Sequence, residues 1–233
     1  MSEIATDIIQ KHLKPNDKFI YGYAILKGLP DPVFGNYQYG ISIEKKLDDS
    51  ILDQVKNGPT HEYHKHYLTM NKKLDELAIA ITSDLNKSGI ESINITPSTT
   101  TELLNTKYNE DLRTELSHKM VATRAGLGWI GKTALFVSKE FGTRLRLVSI
   151  LTKTELVPAQ NPIEKSRCGT CSICVEACPA NAATGQLWNV TIDRDEFFNA
   201  QACREQCRIF GESKLNSDIR ICGICVAVCP IKQ

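Results

Sequence analysis

Residues 168–179 read CGTCSICVEACP, and this stretch decides how the rest of the chain is read. Cys168, Cys171, Cys174 and Cys178, followed by Pro179, keep the C-x2-C-x2-C-x3-C-P spacing of ferredoxin-type chains that hold two iron–sulfur clusters. Three thiolates on one tight loop can cap three irons of a cubane, while the fourth turns away to serve another cluster. One such run therefore predicts a second. It comes at CGICVAVCP, where Cys222, Cys225, Cys229 and Pro230 repeat the last three ligand positions and Ile219 stands where the first cysteine would be. The missing ligand has to come from AQACREQC, which carries Cys203 and Cys207.

The expected assignment gives one 4Fe-4S cluster Cys168, Cys171, Cys174 and Cys229, and the other Cys178, Cys203, Cys222 and Cys225. Tetrahedral zinc is the rival metal for paired C-x2-C motifs, but it needs neither a triple-cysteine run nor two Cys-Pro endings. Clustered cysteines at short spacing suit ligation better than disulfides in a reducing compartment.

All nine cysteines lie from Cys168 onward, so composition divides the 233-residue chain into residues 1–160, an α+β domain, and residues 161–233, a small ferredoxin-like domain. The formal charge of +1 excludes a global basic field for nucleic acid or anionic membrane. MSEIATDIIQKHLK at the N-terminus is charged and amphipathic, and the sequence holds no apolar run of signal-peptide or membrane-span length, so a cytoplasmic protein is expected.

In the first part, FIYGYAIL and YQYGISI are β-rich runs around a Gly/Pro loop. From about Tyr63, the positions Leu74, Leu77, Ala78, Ile81 and Leu85 recur at helical spacing and predict a long amphipathic helix ending near Gly89. ESINIT reads as a strand, NEDLRTELSHKMVATRA as one helix and RLRLVSIL as a closing strand. His61, His64 and His66 belong to a charged, solvated helix start rather than a metal site, and His118 suits a structural or hydrogen-bonding role. GLGWIGKT, Gly126–Thr133, matches a phosphate loop letter by letter, but a polar helical segment precedes it where such a loop follows a buried strand.

Together, SHKMVATRAGLGWIGKTALFVSKEFGTRLRLVSILT, the two cysteine runs and EYHKHYLTMNKKL resemble epoxyqueuosine reductases and their shorter relatives, and more distantly the reductive dehalogenases. The resemblance implies a nitroreductase-like α+β domain that binds cobalamin, followed by two 4Fe-4S clusters that deliver electrons to cobalt. It makes Gly126, Gly128, Trp129, Gly131, Lys132, Thr133 and Phe136 corrin-binding residues, with glycine letting backbone approach the flat ring. The catalytic acid of those enzymes lies in an Asp-x-x-Pro segment before the glycine turn. NEDLRTEL has no proline, and Asp111 falls within one residue of that place, with His118 as second proton donor.

The expected activity is reduction of a small-molecule or protein-bound substrate by a cobalamin-dependent iron–sulfur oxidoreductase, fed by an external donor such as ferredoxin or flavodoxin. The alternatives are a non-catalytic electron carrier or reductive activator of a partner corrinoid protein, and epoxyqueuosine reduction in tRNA. Neutral charge and a sequence ending three residues after Pro230, with no counterpart of the helical-repeat domain that helps those enzymes hold tRNA, set tRNA behind the small substrate.

Overall fold

A computed structural model describes residues 1–14, 16–30, 32–96, 106–157 and 161–231. In chain order the elements are α1 (Ser2–His12), β1 (Phe19–Ile25), β2 (Tyr39–Lys46), α2 (Asp49–Leu52), α3 (His61–Lys87), β3 (Ser92–Ile95), α4 (Thr106–Asp111), α5 (His118–Arg124), β4 (Gly128–Ile130), β5 (Phe136–Ser138), β6 (Leu145–Thr152), α6 (Ile173–Glu176), α7 (Arg194–Phe197), α8 (Ala200–Leu215) and α9 (Ile224–Val228). The class is mixed α and β. No helix of the described residues is long and apolar enough to cross a membrane.

The chain divides into two compact units, and neither is continuous in sequence. The first comprises 1–46, 70–127 and 146–163; the second comprises 47–69, 128–145 and 164–233. The expected boundary at 160/161 lies near the last change of unit, at 163/164, and residues 47–69 and 128–145 fall in the second unit. Composition marked where cysteines begin, whereas 47–69 and 128–145 join the cysteine-rich unit through packing that no cysteine in them announces.

The first unit is built on a four-stranded sheet in the order β1-β2-β6-β3, with β1–β2 and β3–β6 antiparallel. Alternation decides its two faces. Ile41 and Ile43 of β2 and Val148 and Ile150 of β6 point into a core with Ala5 and Ile9 of α1 and Leu74, Ala78, Ile81 and Leu85 of α3. The α3 residues recur at i, i+4, i+7 and i+11, one stripe of a 3.6-residue helix, and each fully buried aliphatic side chain contributes about 1.5–3 kcal/mol. On the opposite face, α5 and the turn after it lie so close that a Cβ on Gly22 would stand 3.2 Å from the Ala125 Cβ and carbonyl oxygen.

The helix expected over Asn109–Ala125 is two helices, α4 and α5. Asp111 Oδ1 accepts from the Arg113 amide at 2.8 Å, Leu112 takes a left-handed φ of 56°, and Ser117 caps α5 by accepting from the Met120 amide. Local side-chain bonds from Asp and Ser thus compete with helix continuation. The other predicted strands and the long helix form within a few residues of the expected places.

In the second unit, β4 and β5 form an antiparallel hairpin with Gly128 opposite Ser138 and Ile130 opposite Phe136. α8 begins where Asn199 accepts from the Ala202 amide at 2.9 Å and stops at Asn216 in the left-handed region. This helix sets Cys203 and Cys207 one turn apart.

Candidate iron–sulfur centre

The two cysteine runs form short turns whose backbone is fixed locally. The Cys171 amide donates to the Cys168 carbonyl at 3.2 Å, the Cys178 amide donates to the Val175 carbonyl at 3.2 Å, and the Ala182 amide donates to Cys178 Sγ at 3.4 Å. Gly223, at φ 88°, opens α9, which carries Cys225 and leads into Cys229. None of the nine cysteines is joined in a disulfide.

The thiols gather in two groups. Cys174 has Cys229, Cys168 and Cys171 as its neighbours, and Cys229 in turn has Cys168 and Cys171. Cys225 neighbours Cys222 and Cys203, and Cys207 is in hydrogen-bond contact with Cys203 and Cys222. The first group is the quartet assigned from spacing. The second contains three of its four expected members together with Cys207. A distant cysteine, Cys229, thus joins the first run.

Burial, reinforced by neighbouring thiols, pushes the Cys174, Cys225 and Cys229 thiols above their ordinary range. A hydrogen bond from Cys207 brings Cys222 down to about 7. The thiols pushed up in this way, Cys174, Cys225 and Cys229, hold their protons, so a cluster binding there takes thiolates and releases protons. This donor set suits iron–sulfur clusters: soft sulfur ligands, mostly shielded from water, in two groups.

The hairpin supplies the surroundings of these sulfurs. Trp129 Nε1 donates to Cys168 Sγ at 3.4 Å, and the Arg167 guanidinium lies 5.9 Å from the Trp129 ring centroid. A Cβ on Gly131 would stand 3.6 Å from Cys168 Sγ. Thr133 is buried in the turn between β4 and β5, and Thr143 Oγ1 donates to the Val226 carbonyl at 2.8 Å. Arg144, only 2% exposed, is paired with Asp53 at 2.8 Å and Asp49 at 3.3 Å and donates to the Ala227 carbonyl, holding the turn before Cys229. Trp129, Thr143 and Arg144 carried no cysteine-ligand signal in the sequence; only aromatic and hydroxyl residues around a glycine-rich hairpin hinted at them.

The residues nominated for a corrin are differently used. Trp129, Lys132, Thr133 and Phe136 are buried, at 4–6% exposure. The space a Gly128 side chain would need is taken by the Val137 carbonyl oxygen, 2.1 Å from an added Cβ, and by the Phe136 ring at 2.6 Å. Gly128 and Gly131 let the hairpin pack closely on itself and beside Cys168. Gly126, at φ 71°, ends α5, its amide donating to the Thr123 carbonyl. The corrin role of this stretch is not supported by its packing.

In the first unit, His118 Nε2 lies 2.8 Å from the Thr96 carbonyl and Nδ1 lies 2.9 Å from Ser149 Oγ. A carbonyl only accepts, so Nε2 bears the proton and Nδ1 accepts from the serine. Although part of the residue remains accessible to solvent, its ring is enclosed by protein, and burial, with the nearby Arg146 charge, lowers its pKa to about 4. The native pKa is below the ordinary value of about 6.5. The contribution of neutral His118 is therefore complete above pH 6.5 and is lost as pH falls toward 4. Denaturant titrations at pH 7 and pH 5 should show wild type losing more stability than His118→Gln; equal losses would rule out this source of acid sensitivity.

His61, His64 and His66 open α3, with His66 Nε2 accepting from the Asp48 amide at 3.3 Å. Among the described residues no three His, Cys, Asp or Glu side chains are drawn together closely enough to hold one metal ion, so the thiol groups are neighbourhoods and not closed single-ion sites.

Two thiol groups on paired Cys-Pro turns define an iron–sulfur protein, and residues 167–232 match the 4Fe-4S double cluster binding domain family. The chain is similar to epoxyqueuosine reductases: it is 37% identical to that of Lactococcus garvieae (strain Lg2) over 120 residues, covering 48% of this chain and 31% of that one. It is 32% identical to the Bacillus subtilis (strain 168) epoxyqueuosine reductase over 148 residues, covering 57% of this chain and 35% of the relative. The matches thus span about a third of those relatives' length. Its fold is shared with a reductive dehalogenase structure concerned with B12-dependent dehalogenation, at TM-score 0.67 and 13% identity, covering 92% of this chain and 30% of that one. It is also shared with an epoxyqueuosine reductase structure holding an epoxyqueuosine-modified tRNA-Tyr stem loop, at TM-score 0.56 and 20% identity, covering 99% and 64%.

Proposed function

We propose that this chain is an iron–sulfur reductase of the epoxyqueuosine reductase type, in which two 4Fe-4S clusters pass electrons from an external donor toward a corrinoid. The observation carrying this reading is the gathering of the thiols into two groups, with Cys229 returning to the first run. Cys168, Cys171, Cys174 and Cys229 would hold one cluster; Cys178, Cys203, Cys222 and Cys225 would hold the other. The clusters supply one-electron steps, and the protein sets their spacing, potential and access to water.

The substrate this kinship favours is epoxyqueuosine in tRNA. The preference for a small-molecule or protein-bound substrate, read from neutral net charge, is not borne out: the curated relatives are epoxyqueuosine reductases, and a similar structure holds a modified tRNA stem loop. Net charge sums over the whole surface, whereas a stem loop needs only a local patch. The corrinoid rests on kinship and on the fold shared with a B12-dependent dehalogenase. Because the nominated glycine stretch packs on itself and on cysteine sulfurs, no step is assigned to residues there. That packing favours a second reading, in which the clusters deliver electrons to a partner's corrinoid.

A proton must accompany the electrons. His118 keeps its Nε2 proton on a carbonyl, so Asp111 is the stronger of the two nominated donors. Asp111→Asn should lower single-turnover reduction about 10²–10⁴-fold with full iron content. The deciding experiment is anaerobic reconstitution with iron, sulfide and cobalamin, photoreduction, and reaction with an epoxyqueuosine-containing tRNA stem loop. Queuosine formation supports the reading. A chain that holds both clusters yet neither binds cobalamin nor converts the stem loop moves the assignment to the electron-delivery role.

A further inference from the structure

Trp129 stands in β4 opposite Val137, and its side chain is buried. Its indole Nε1 donates to Cys168 Sγ at 3.4 Å. An indole N–H only donates, so the direction of this bond is fixed. Further contacts hold both partners in place. The Arg167 guanidinium lies 5.9 Å from the ring centroid, a cation over the indole face. On the other side, the Cys168 amide donates to Ser166 Oγ at 3.4 Å, and the Cys168 carbonyl accepts from the Cys171 amide at 3.2 Å. The Ala182 amide makes a comparable bond to Cys178 Sγ, but from the backbone; the bond to Cys168 belongs to a side chain and can be removed by substitution.

We propose that Trp129 is a positioning residue of the first cluster, its indole N–H raising that cluster's reduction potential through the Cys168 sulfur. This rests on the two-cluster reading above, in which Cys168 is a ligand. Reduction places an electron from the external donor on the cluster and adds negative charge to iron and its thiolates, while the proton stays on Nε1 throughout. A hydrogen bond strengthens as its acceptor gains charge, by about twofold between a neutral and an ionised partner. The bond is therefore stronger in the reduced cluster than in the oxidised one, and the difference favours reduction. Two features of the site enlarge that difference. Burial keeps water from competing for the sulfur, and the low local dielectric strengthens the bond. The guanidinium over the ring face draws charge from the indole and makes its N–H the better donor.

The rival explanation is that the indole merely covers the sulfur. Phenylalanine keeps an aromatic cover and a face for Arg167 but has no N–H. Reconstituted wild type and Trp129→Phe are titrated electrochemically, with iron and sulfide assayed on each. The expected result is full iron in both, with one of the two midpoints lower in Trp129→Phe and the other unmoved. The displaced step becomes about tenfold less favourable, about 59 mV for one electron. A second measurement needs no folded variant: wild type grown on tryptophan carrying heavy nitrogen in the indole should show coupling of that nitrogen to the reduced cluster by pulsed electron paramagnetic resonance. Unchanged midpoints at full iron, equal displacement of both midpoints, or absence of the nitrogen coupling would each overturn the proposal. Iron loss in Trp129→Phe would do the same, showing a structural prop. Wild type that fails to assemble two clusters would instead bring down the reading on which it rests.

Discussion

Replacing Gly128 with valine is expected to strip iron from the protein and lower its melting temperature together. An added Cβ would sit 2.1 Å from the Val137 carbonyl oxygen and 2.6 Å from the Phe136 ring. The first obstacle is backbone, and it belongs to the strand paired with Gly128, so relief requires breaking the β4–β5 ladder. Strain of this kind falls in the class of substitutions costing above about 4 kcal/mol. For a chain of this length that corresponds to roughly 8–16 °C in melting temperature, if the transition is two-state. The same hairpin carries Trp129 to Cys168 and sets Gly131 beside the same sulfur, so its loss exposes the first group. If the glycine served only to let a corrin approach, the variant would keep its iron and lose only corrinoid binding. Full iron with an unchanged melting temperature in Gly128→Val would therefore contradict the packing role of this glycine.

How far the sequence reached depends on what each signal reports. The stripe Leu74, Ala78, Ile81, Leu85 is a period visible in the letters, and it became the buried face of α3. The cysteine spacing is equally explicit, since ligand geometry dictates it, and it paired Cys229 with the first run. GLGWIGKT was harder. Its glycines were read as room for a ligand, whereas the structure fills the room at Gly128 with the chain's own Val137 and Phe136. A glycine reports that something comes close, and only coordinates say what. The break between α4 and α5 was legible in principle from Asp111 and from Ser117, but the stronger helical pattern around them hid it. The assignment of 47–69 and 128–145 to the cysteine-rich unit had no compositional mark; Arg144, bonded to Asp49, Asp53 and the Ala227 carbonyl, is the kind of long-range link that sequence order conceals.

The proposed choice of Cys203 over Cys207 as ligand has a measurable outcome. The four thiolates of a cubane must surround one small volume. Cys203 neighbours both Cys225 and Cys207, while the contacts of Cys207 are with Cys203 and Cys222. Cys203 is the α8 thiol among the neighbours of Cys225, and Cys207 stands one turn further along the helix. Cys203→Ser should therefore lower the iron of the reconstituted protein by about one to four per chain, an opened corner or a lost cubane, from the roughly eight that two clusters hold. Cys207→Ser should stay at the wild-type value, with unchanged absorbance near 400 nm. The first group provides the internal standard, because its ligands Cys168, Cys171, Cys174 and Cys229 are untouched in both variants. Equal iron loss in the two variants would mean that both α8 thiols are needed to build the site, and iron loss confined to Cys207→Ser would transfer the ligand to that residue.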